Sequence, residues 1–181
     1  MVAFASVIMP TIGFAQDRSG GQTAVGGSGL PVPRFVSLKA QPVNMRKGPG
    51  TQYPTVWVMR RVGMPLEIIR EFQGWRQVRD MEGATGWILG SLLSGRRTAV
   101  VQPWDRAKPT ETAQSGPGSA VLIDLLKTRN ASAGVLAKLE AGTQVQLRRC
   151  DGQWCEVVLQ EFRGFVEQWR LWGVYKTETV R

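Results

Sequence analysis

Hydrophobic and polar positions alternate along this chain in short runs separated by turn residues. Val36 and Leu38 alternate with polar neighbours, and the same alternation recurs at residues 66–68 and 145–147. Clusters that contain glycine, proline or aspartate separate these runs, and no long stretch has the periodicity of an amphipathic helix. The pattern predicts an all-β protein made of short strands, in the form of small barrels or a sandwich.

The chain contains an internal repeat. An offset of 79 residues superimposes glycines, apolar strand positions and a tryptophan of one block on those of the other, and the offset falls to 78 near the end of the block. Equivalent positions are Gly63 and Gly142, Trp75 and Trp154, and Trp87 and Phe165. Because repetition at a fixed offset marks duplicated modules, the sequence predicts two tandem barrels.

The segments around the repeats differ from them in composition. The apolar stretch at the N-terminus is too short to span a membrane and has small residues before a cleavage position after Ala15, so it is interpreted as a signal peptide. Glycine-rich and Pro/Gly-containing segments are interpreted as a flexible leader and a linker. The predicted organisation is a signal peptide at 1–15, a leader at 16–34, a first barrel at 35–95, a linker at 96–120, a second barrel at 121–175 and a tail at 176–181.

The amino-acid composition excludes several kinds of catalytic and metal-binding site. The 181 residues include no histidine and two cysteines, and the formal net charge is +9. Without histidine, a Ser-His-Asp triad and a histidine metal site are both excluded, and two cysteines cannot form a four-thiolate zinc site. Four carboxylates, Glu67, Glu71, Asp80 and Glu82, are expected at exposed strand ends rather than in a catalytic pair. We therefore expect no enzyme activity, no metal and no cofactor.

The order of motifs in the first block resembles the bacterial SH3-like (SH3b) family. These motifs are Val43-Asn44-Met45-Arg46, Gly48-Pro49-Gly50, Gly74-Trp75 and Gly86-Trp87. The resemblance covers residues 35–95, whereas residues 121–174 resemble a second copy that has lost the arginine and the Gly-Pro turn. The layout is similar to that of exported two-copy SH3b proteins of Gram-negative bacteria. The resemblance implies barrels of five or six strands that recognise peptides or cell-wall material.

The two cysteines predict a disulfide. Cys150 and Cys155 flank a four-residue hairpin loop, where opposed strand positions lie close enough for a bridge. A redox-active dithiol is the alternative, but such sites usually have two intervening residues. Strand parity relative to Leu147 predicts that the bridge lies on the outer face. The equivalent positions of the first block are Glu71 and Arg76, which predicts a cross-strand ion pair there.

Aromatic side chains and one arginine are the candidate ligand-binding residues. Arg46, Tyr53, Trp57 and Trp75 are predicted to line a groove in the first barrel, where aromatic rings stack on an extended ligand and the guanidinium binds an anionic group. The predicted structural core consists of Leu66, Ile68, Val78, Trp87, Val145, Leu147, Val157 and Phe165.

These features together predict a non-catalytic binding module, located in the periplasm or secreted. The expected partner is peptidoglycan or a periplasmic protein or peptide, and the mature chain is expected to have no membrane span. One alternative is a structural scaffold without a ligand groove. Another is a barrel that binds single-stranded nucleic acid, since small basic and aromatic barrels do so. The signal peptide and the disulfide argue against that alternative.

The signal-peptide interpretation predicts a defined N-terminus for the exported protein. Mass spectrometry of the periplasmic or secreted fraction is expected to give Gln16 as the first residue, because signal peptidase cleaves after small residues such as Ala15. Recovery of the protein only in the cytoplasm, with residues 1–15 intact, would contradict export.

Overall fold

The computed structural model of the protein describes residues 24–102 and 122–181, which contain two curled β-sheets, one from each repeat, and a small two-stranded hairpin. The all-β fold with two SH3-like barrels is therefore confirmed. The predicted signal peptide and most of the predicted linker lie outside the described residues.

The first barrel is a seven-stranded antiparallel sheet with a separate two-stranded hairpin before it. Its strands are β1 (Ala24–Val25), β2 (Pro31–Val32), β3 (Arg34–Leu38), β4 (Val43–Arg46), β5 (Thr55–Met59), β6 (Pro65–Phe72), β7 (Trp75–Arg79), β8 (Thr85–Leu89) and β9 (Leu93–Ser94). A short 3-10 helix, Gly90–Leu92, connects β8 to β9. The sheet order is β5-β4-β8-β7-β6-β3-β9, and β1 pairs with β2.

The second barrel repeats this arrangement in an eight-stranded sheet. Its strands are β10 (Thr98–Val101), β11 (Leu122–Leu126), β12 (Val135–Glu140), β13 (Gln144–Asp151), β14 (Trp154–Leu159), β15 (Phe162–Glu167), β16 (Leu171–Trp172) and β17 (Thr179–Val180). A 3-10 helix, Gln168–Arg170, precedes β16. The sheet order is β12-β11-β15-β14-β13-β10-β16, and β17 pairs with β13.

Each barrel encloses its own apolar core. The first core contains Leu38, Val43, Met45, Met59, Leu66, Ile68, Val78 and Ile88 among its buried side chains. The second contains Ile123, Leu125, Leu139, Val145, Leu147, Val157, Val166 and Leu171. Six of the predicted core residues belong to these two clusters, because they occupy the inward positions of alternating strands.

The two predicted aromatic core residues lie elsewhere. Trp87 is buried, with 9 % of its surface exposed, but it does not belong to the core cluster. Its neighbour Ile88 is inside the barrel, so strand alternation places Trp87 on the outer face. The core position predicted for Phe165 is wrong: it is half-buried on the outer face, because its neighbour Val166 points inward.

A β-bulge interrupts one long strand of each barrel at the same place. In β6 the register against β7 shifts between Ile68 and Arg70, and in β13 the register against β14 shifts between Leu147 and Arg149. One extra residue in a strand reverses the alternation of inward and outward side chains beyond it. The residues after each bulge therefore point to the opposite side from the one that simple parity predicts.

The bulge explains why the disulfide is inside the second barrel. Cys150 and Cys155 form the predicted bond, with a Cα–Cα distance of 4.1 Å. Both residues are buried and belong to the second core. The predicted outer-face position is wrong, because the extra residue between Leu147 and Arg149 turns Cys150 inward.

The equivalent position in the first barrel is occupied by a buried carboxylate. Glu71 pairs in register with Arg76, and the Nε of Arg76 lies 3.0 Å from the Glu71 carboxylate, as the repeat offset predicted. Arg34 contacts the same carboxylate at 2.5 Å, and the N–H and hydroxyl of Ser28 donate hydrogen bonds of 2.7 and 2.8 Å to it. Only 1 % of the Glu71 side chain is exposed. Although burial raises its pKa, the hydrogen bonds from Arg34 and Ser28 prevail and lower the pKa from 4.5 to about 2.

Three predicted boundaries need correction. The leader was predicted to be flexible up to residue 34, but its described part forms the β1–β2 hairpin, which Glu71 holds through Ser28. The predicted linker contains β10, which pairs with β13 and β16 and so belongs to the second barrel. The predicted tail contains β17, and the buried amide of Gln168 donates hydrogen bonds to the carbonyls of Tyr175 and Glu178 beside it.

The two barrels contact each other at a cluster of hydrogen bonds and at a cluster of aromatic rings. The hydroxyls of Ser37 and Thr98 lie 2.6 Å apart, and Thr98 also donates a hydrogen bond to the carbonyl of Gly63. The Phe35 ring packs against the rings of Trp172 and Tyr175, with centroid distances of 5.2 and 4.8 Å. These contacts join β3 of the first barrel to the start and the end of the second.

Reduction of the disulfide is expected to destabilise the second barrel without unfolding it. The bond closes a small ring, so the loop-entropy estimate gives a stabilisation of only about 2 kcal/mol. Thermal unfolding with and without reductant measures this difference, and the Cys150→Ala/Cys155→Ala double variant, unaffected by reductant, is the control. Alkylation of both cysteines in the native, unreduced protein would contradict the bridge.

Glu71→Gln is expected to remove a contribution to the free energy of unfolding that is present at neutral pH and lost in acid. Because folding lowers the Glu71 pKa, its contribution is fully present above about pH 4.5 and is lost as the pH falls towards 2. The variant is expected to be less stable than the wild type by roughly 1.5–3 kcal/mol at neutral pH, and the difference is expected to shrink in acid. Urea unfolding at several pH values measures it.

The exposed Glu82 provides the control for this experiment, because Glu82→Gln changes the same charge at the surface. A Glu71→Gln difference that is the same at pH 7 and at pH 2 would contradict the assigned role of the Glu71 carboxylate.

Candidate functional site

The outer face of the first barrel carries two rows of side chains across neighbouring strands. Register pairs place Arg46, Trp87, Gln77 and Arg70 in the first row, on β4, β8, β7 and β6. The second row consists of Leu89, Trp75 and Phe72. We call these seven residues the first outer face. The second row is apolar and accessible at both ends, since Phe72 is 51 % exposed and Leu89 is 39 % exposed, and Trp75 between them is half-buried.

Arg46 supports the adjacent turn. Its Nη1 donates hydrogen bonds of 3.0 and 2.7 Å to the carbonyls of Thr51 and Tyr53. The Tyr53 ring lies against Gly48, where a side chain would collide with the ring, which explains the glycine at this position. The guanidinium thus holds the 48–53 turn in place, and its contact with a ligand anion stays a prediction.

The four predicted ligand-binding residues do not form one groove. Arg46 and Trp75 share the first outer face, and Tyr53 lies in the turn beside it. Trp57, which is 59 % exposed, pairs in register with Met45 and therefore lies on the side of the sheet that faces the core. It remains accessible because β5 is the edge strand of the described sheet.

The equivalent face of the second barrel has different chemistry. Phe165, Glu156 and Arg149 occupy the positions of Trp87, Gln77 and Arg70 in the first barrel. Together with residues nearby they line a cavity of about 220 Å³. The lining residues, which we call the second outer face, are Arg129, Arg149, Asp151, Trp154, Glu156, Arg163 and Phe165.

Ion pairs organise the second outer face. Arg163 donates to Glu156 at 2.5 Å, and Arg129 donates to Asp151 at 3.0 Å while its guanidinium lies 5.7 Å from the centre of the Phe165 ring. The hydrogen bond from Arg163 lowers the pKa of Glu156 despite partial burial, and the charges of Arg149 and Arg129 act in the same direction. The Glu156 carboxylate therefore remains ionised well into the acid range.

Asp151 also shapes the hairpin loop at the edge of the cavity. Its carboxylate accepts hydrogen bonds from the N–H groups of Trp154 and Gln153, at 2.8 and 3.0 Å, and these bonds lower its pKa. The sequence analysis did not predict the cluster of charged residues on the second outer face. Arg149 lies opposite Glu156 only because of the bulge in β13, which the alternation of residues along the strand does not reveal. The offset of 79 residues makes Arg149 equivalent to Arg70, and this repeated arginine was the signal in the sequence that pointed to the position.

Three of the four carboxylates singled out in the first barrel are structural, and the fourth, Glu82, is exposed as expected. The expectation of exposed strand ends is wrong for Glu67, Glu71 and Asp80, whose carboxylates are buried among internal hydrogen-bond partners. Glu67 accepts hydrogen bonds from Arg79 and from the Tyr175 hydroxyl, which lies 2.9 Å away. Burial and the adjacent Glu67 charge raise the pKa of Tyr175. Asp80 accepts hydrogen bonds from backbone N–H groups of the following turn, and Glu71 binds Arg34 and Arg76.

Within residues 24–102 and 122–181, no cluster of three or more acidic or cysteine side chains is arranged to hold a metal ion. No helix in the same part of the chain has the length and apolar character needed to cross a membrane.

Comparison with known families agrees with this architecture. The model of the bacterial SH3 domain family matches residues 39–95 and 129–173, one stretch in each barrel and together more than half of the chain. The chain therefore belongs to the bacterial SH3 domain family, which is a family of binding domains. A comparison with curated proteins found no match.

Solved structures with a distant likeness come from longer proteins. NlpC2 from Trichomonas vaginalis is 10 % identical with a TM-score of 0.30, over 77 % of this chain and 48 % of that one. NlpC1 from the same organism is 12 % identical with a TM-score of 0.29, over 77 % and 45 %. An NlpC/P60 family protein from Bacillus cereus ATCC 10987 is 10 % identical with a TM-score of 0.29, over 76 % and 55 %. The chain thus spans about half the length of each.

Proposed function

We propose that this protein is an exported, non-catalytic binding module that recognises cell-wall material or a peptide of the periplasm through its first outer face. The observation that carries the proposal is the accessible row of Phe72, Trp75 and Leu89 on a barrel of a binding-domain family. Exposed apolar groups that lie together on a small domain mark interaction surfaces. An extended peptide or a sugar ring stacks on such aromatic groups with little loss of its own conformational freedom.

Two further features support this proposal. Arg70 lies at the end of the row that contains Trp87 and adds a positive charge for an anionic ligand group. The disulfide supports export, because such bonds persist in oxidising compartments and are rare in the cytosol.

Trp75→Ala is expected to weaken binding while leaving the thermal midpoint almost unchanged. Removal of a stacking aromatic typically costs ~1–3 kcal/mol of binding free energy. Co-sedimentation of the full chain with purified sacculi, and capture of periplasmic peptides and proteins, measures the loss. Trp87→Ala is expected to cost ~3–5 kcal/mol of stability instead, because that ring is buried.

Trp57→Ala is the matched control, since it removes an exposed tryptophan from the opposite side of the sheet. If Trp75→Ala unfolds the barrel as severely as Trp87→Ala, the Trp75 ring is structural and the proposed face is wrong. Equal binding by wild type and Trp75→Ala, with loss in Trp57→Ala, would place the ligand on the edge strand β5 instead.

A further inference from the structure

The second outer face offers a site that is separate from the one proposed on the first barrel. We propose that it binds the carboxylate of an extended peptide through Arg149, with the peptide chain lying across Trp154. This site belongs to the barrel whose sequence lacks the arginine and the Gly-Pro turn, so it does not depend on the proposed function of the first barrel.

Three guanidinium groups lie around one cavity. Arg149 is directly opposite Glu156 in register, Arg163 binds Glu156, and Arg129 approaches from the loop after β11. The lowered pKa of Glu156 reflects first the bond to Arg163 and then the charges of all three arginines, which agrees with their convergence on this point.

The charges of the cavity do not cancel. Asp151 pairs with Arg129, and Glu156 pairs with Arg163. Arg149 makes no ion pair with any residue that the structure describes, so the cavity has an excess of one positive charge. A guanidinium binds a carboxylate through two parallel N–H donors, which is the geometry that a peptide carboxylate offers. The paired carboxylates hold the other two arginines in position and repel a more highly charged anion.

A second cavity adjoins the first and extends the site along the sheet. It has a volume of about 250 Å³, and Trp154 contributes to the walls of both cavities. Its other lining residues are Leu122, Ile123, Asp124, Leu126, Ala131, Glu167 and Arg170. Leu122 is 49 % exposed there, which leaves apolar surface for a side chain. A peptide with its carboxylate at Arg149 therefore reaches apolar surface within a few residues of extended chain, since each spans ~3.3 Å.

The first barrel lacks this combination of charges. Arg70 occupies the position of Arg149, but Gln77 replaces Glu156 and Phe72 replaces Asp151. The first outer face combines aromatic and apolar side chains with two arginines and no carboxylate, whereas the second outer face combines three arginines with two carboxylates. Because Arg70 and Arg149 are equivalent positions, substitution of Arg70 provides a control that removes an arginine from the barrel without this group of charges.

The test uses the full chain labelled with ¹⁵N and two forms of one peptide, N-acetyl-Ala-Leu-Ala with a free C-terminal carboxylate and the same peptide as its amide. NMR titration follows the indole N–H of Trp154 and the Nε–H of Arg149. We expect the free carboxylate to shift both signals with a dissociation constant near the millimolar range, which is about −4 kcal/mol. We expect the amide to bind at least about tenfold more weakly, the loss of one charge-assisted contact.

Arg149→Met is expected to weaken binding of the carboxylate form about tenfold, and Arg149→Lys by less, because lysine keeps the charge but not the two-donor geometry. Arg70→Met is the matched control and is expected to leave binding at Trp154 unchanged. Equal affinity for the two peptides, an unchanged affinity in Arg149→Met, or absence of a shift at Trp154 would each overturn the proposal. Since the sacculus experiment with Trp75→Ala concerns the other barrel, failure of either proposal leaves the other testable.

Discussion

One extra residue in the long strand of each barrel determines which side chains enter the core and which reach the outer face. The bulge after Ile68 turns Glu71 inward and Arg70 outward, and the bulge after Leu147 does the same to Cys150 and Arg149. Both proposed binding faces depend on this reversal, because the outward arginines lie beside the aromatic residues only after it. A bulge also increases the local twist of a strand, which helps a short sheet to curl into a barrel.

The two barrels stabilise the same inward position by different chemistry. In the first, Glu71 binds two arginines and the β1–β2 hairpin, and its burial is tolerable because donors surround the carboxylate. In the second, a disulfide occupies the equivalent site, and β17 pairs with the strand that contains Cys150. In each barrel this position therefore lies beside a terminal segment of the described chain.

Aromatic and hydrogen-bonding contacts join the two barrels. Phe35, Tyr175 and Trp172 pack together, and the Tyr175 hydroxyl donates to the buried Glu67 of the first barrel. Because a buried carboxylate requires its partners, removal of the second barrel would leave Glu67 with Arg79 alone. The two faces are thus parts of one molecule with unlike surfaces: one mainly apolar, the other lined by ion pairs.

The sequence determined the two-barrel all-β fold, because alternation and turn residues are local properties and the repeat offset is visible in single letters. It also determined the Cys150–Cys155 bond and the Glu71–Arg76 pair, since hairpin spacing and the offset fix which positions oppose each other. The inward position of both pairs was visible only in the folded structure, because a bulge lies in the register between two paired strands and not in the residues of either strand alone. It also separated Trp57 from Trp75, turned Phe165 outward and brought Arg129, Arg149 and Arg163 together, since these relations depend on pairing between strands that are distant in sequence.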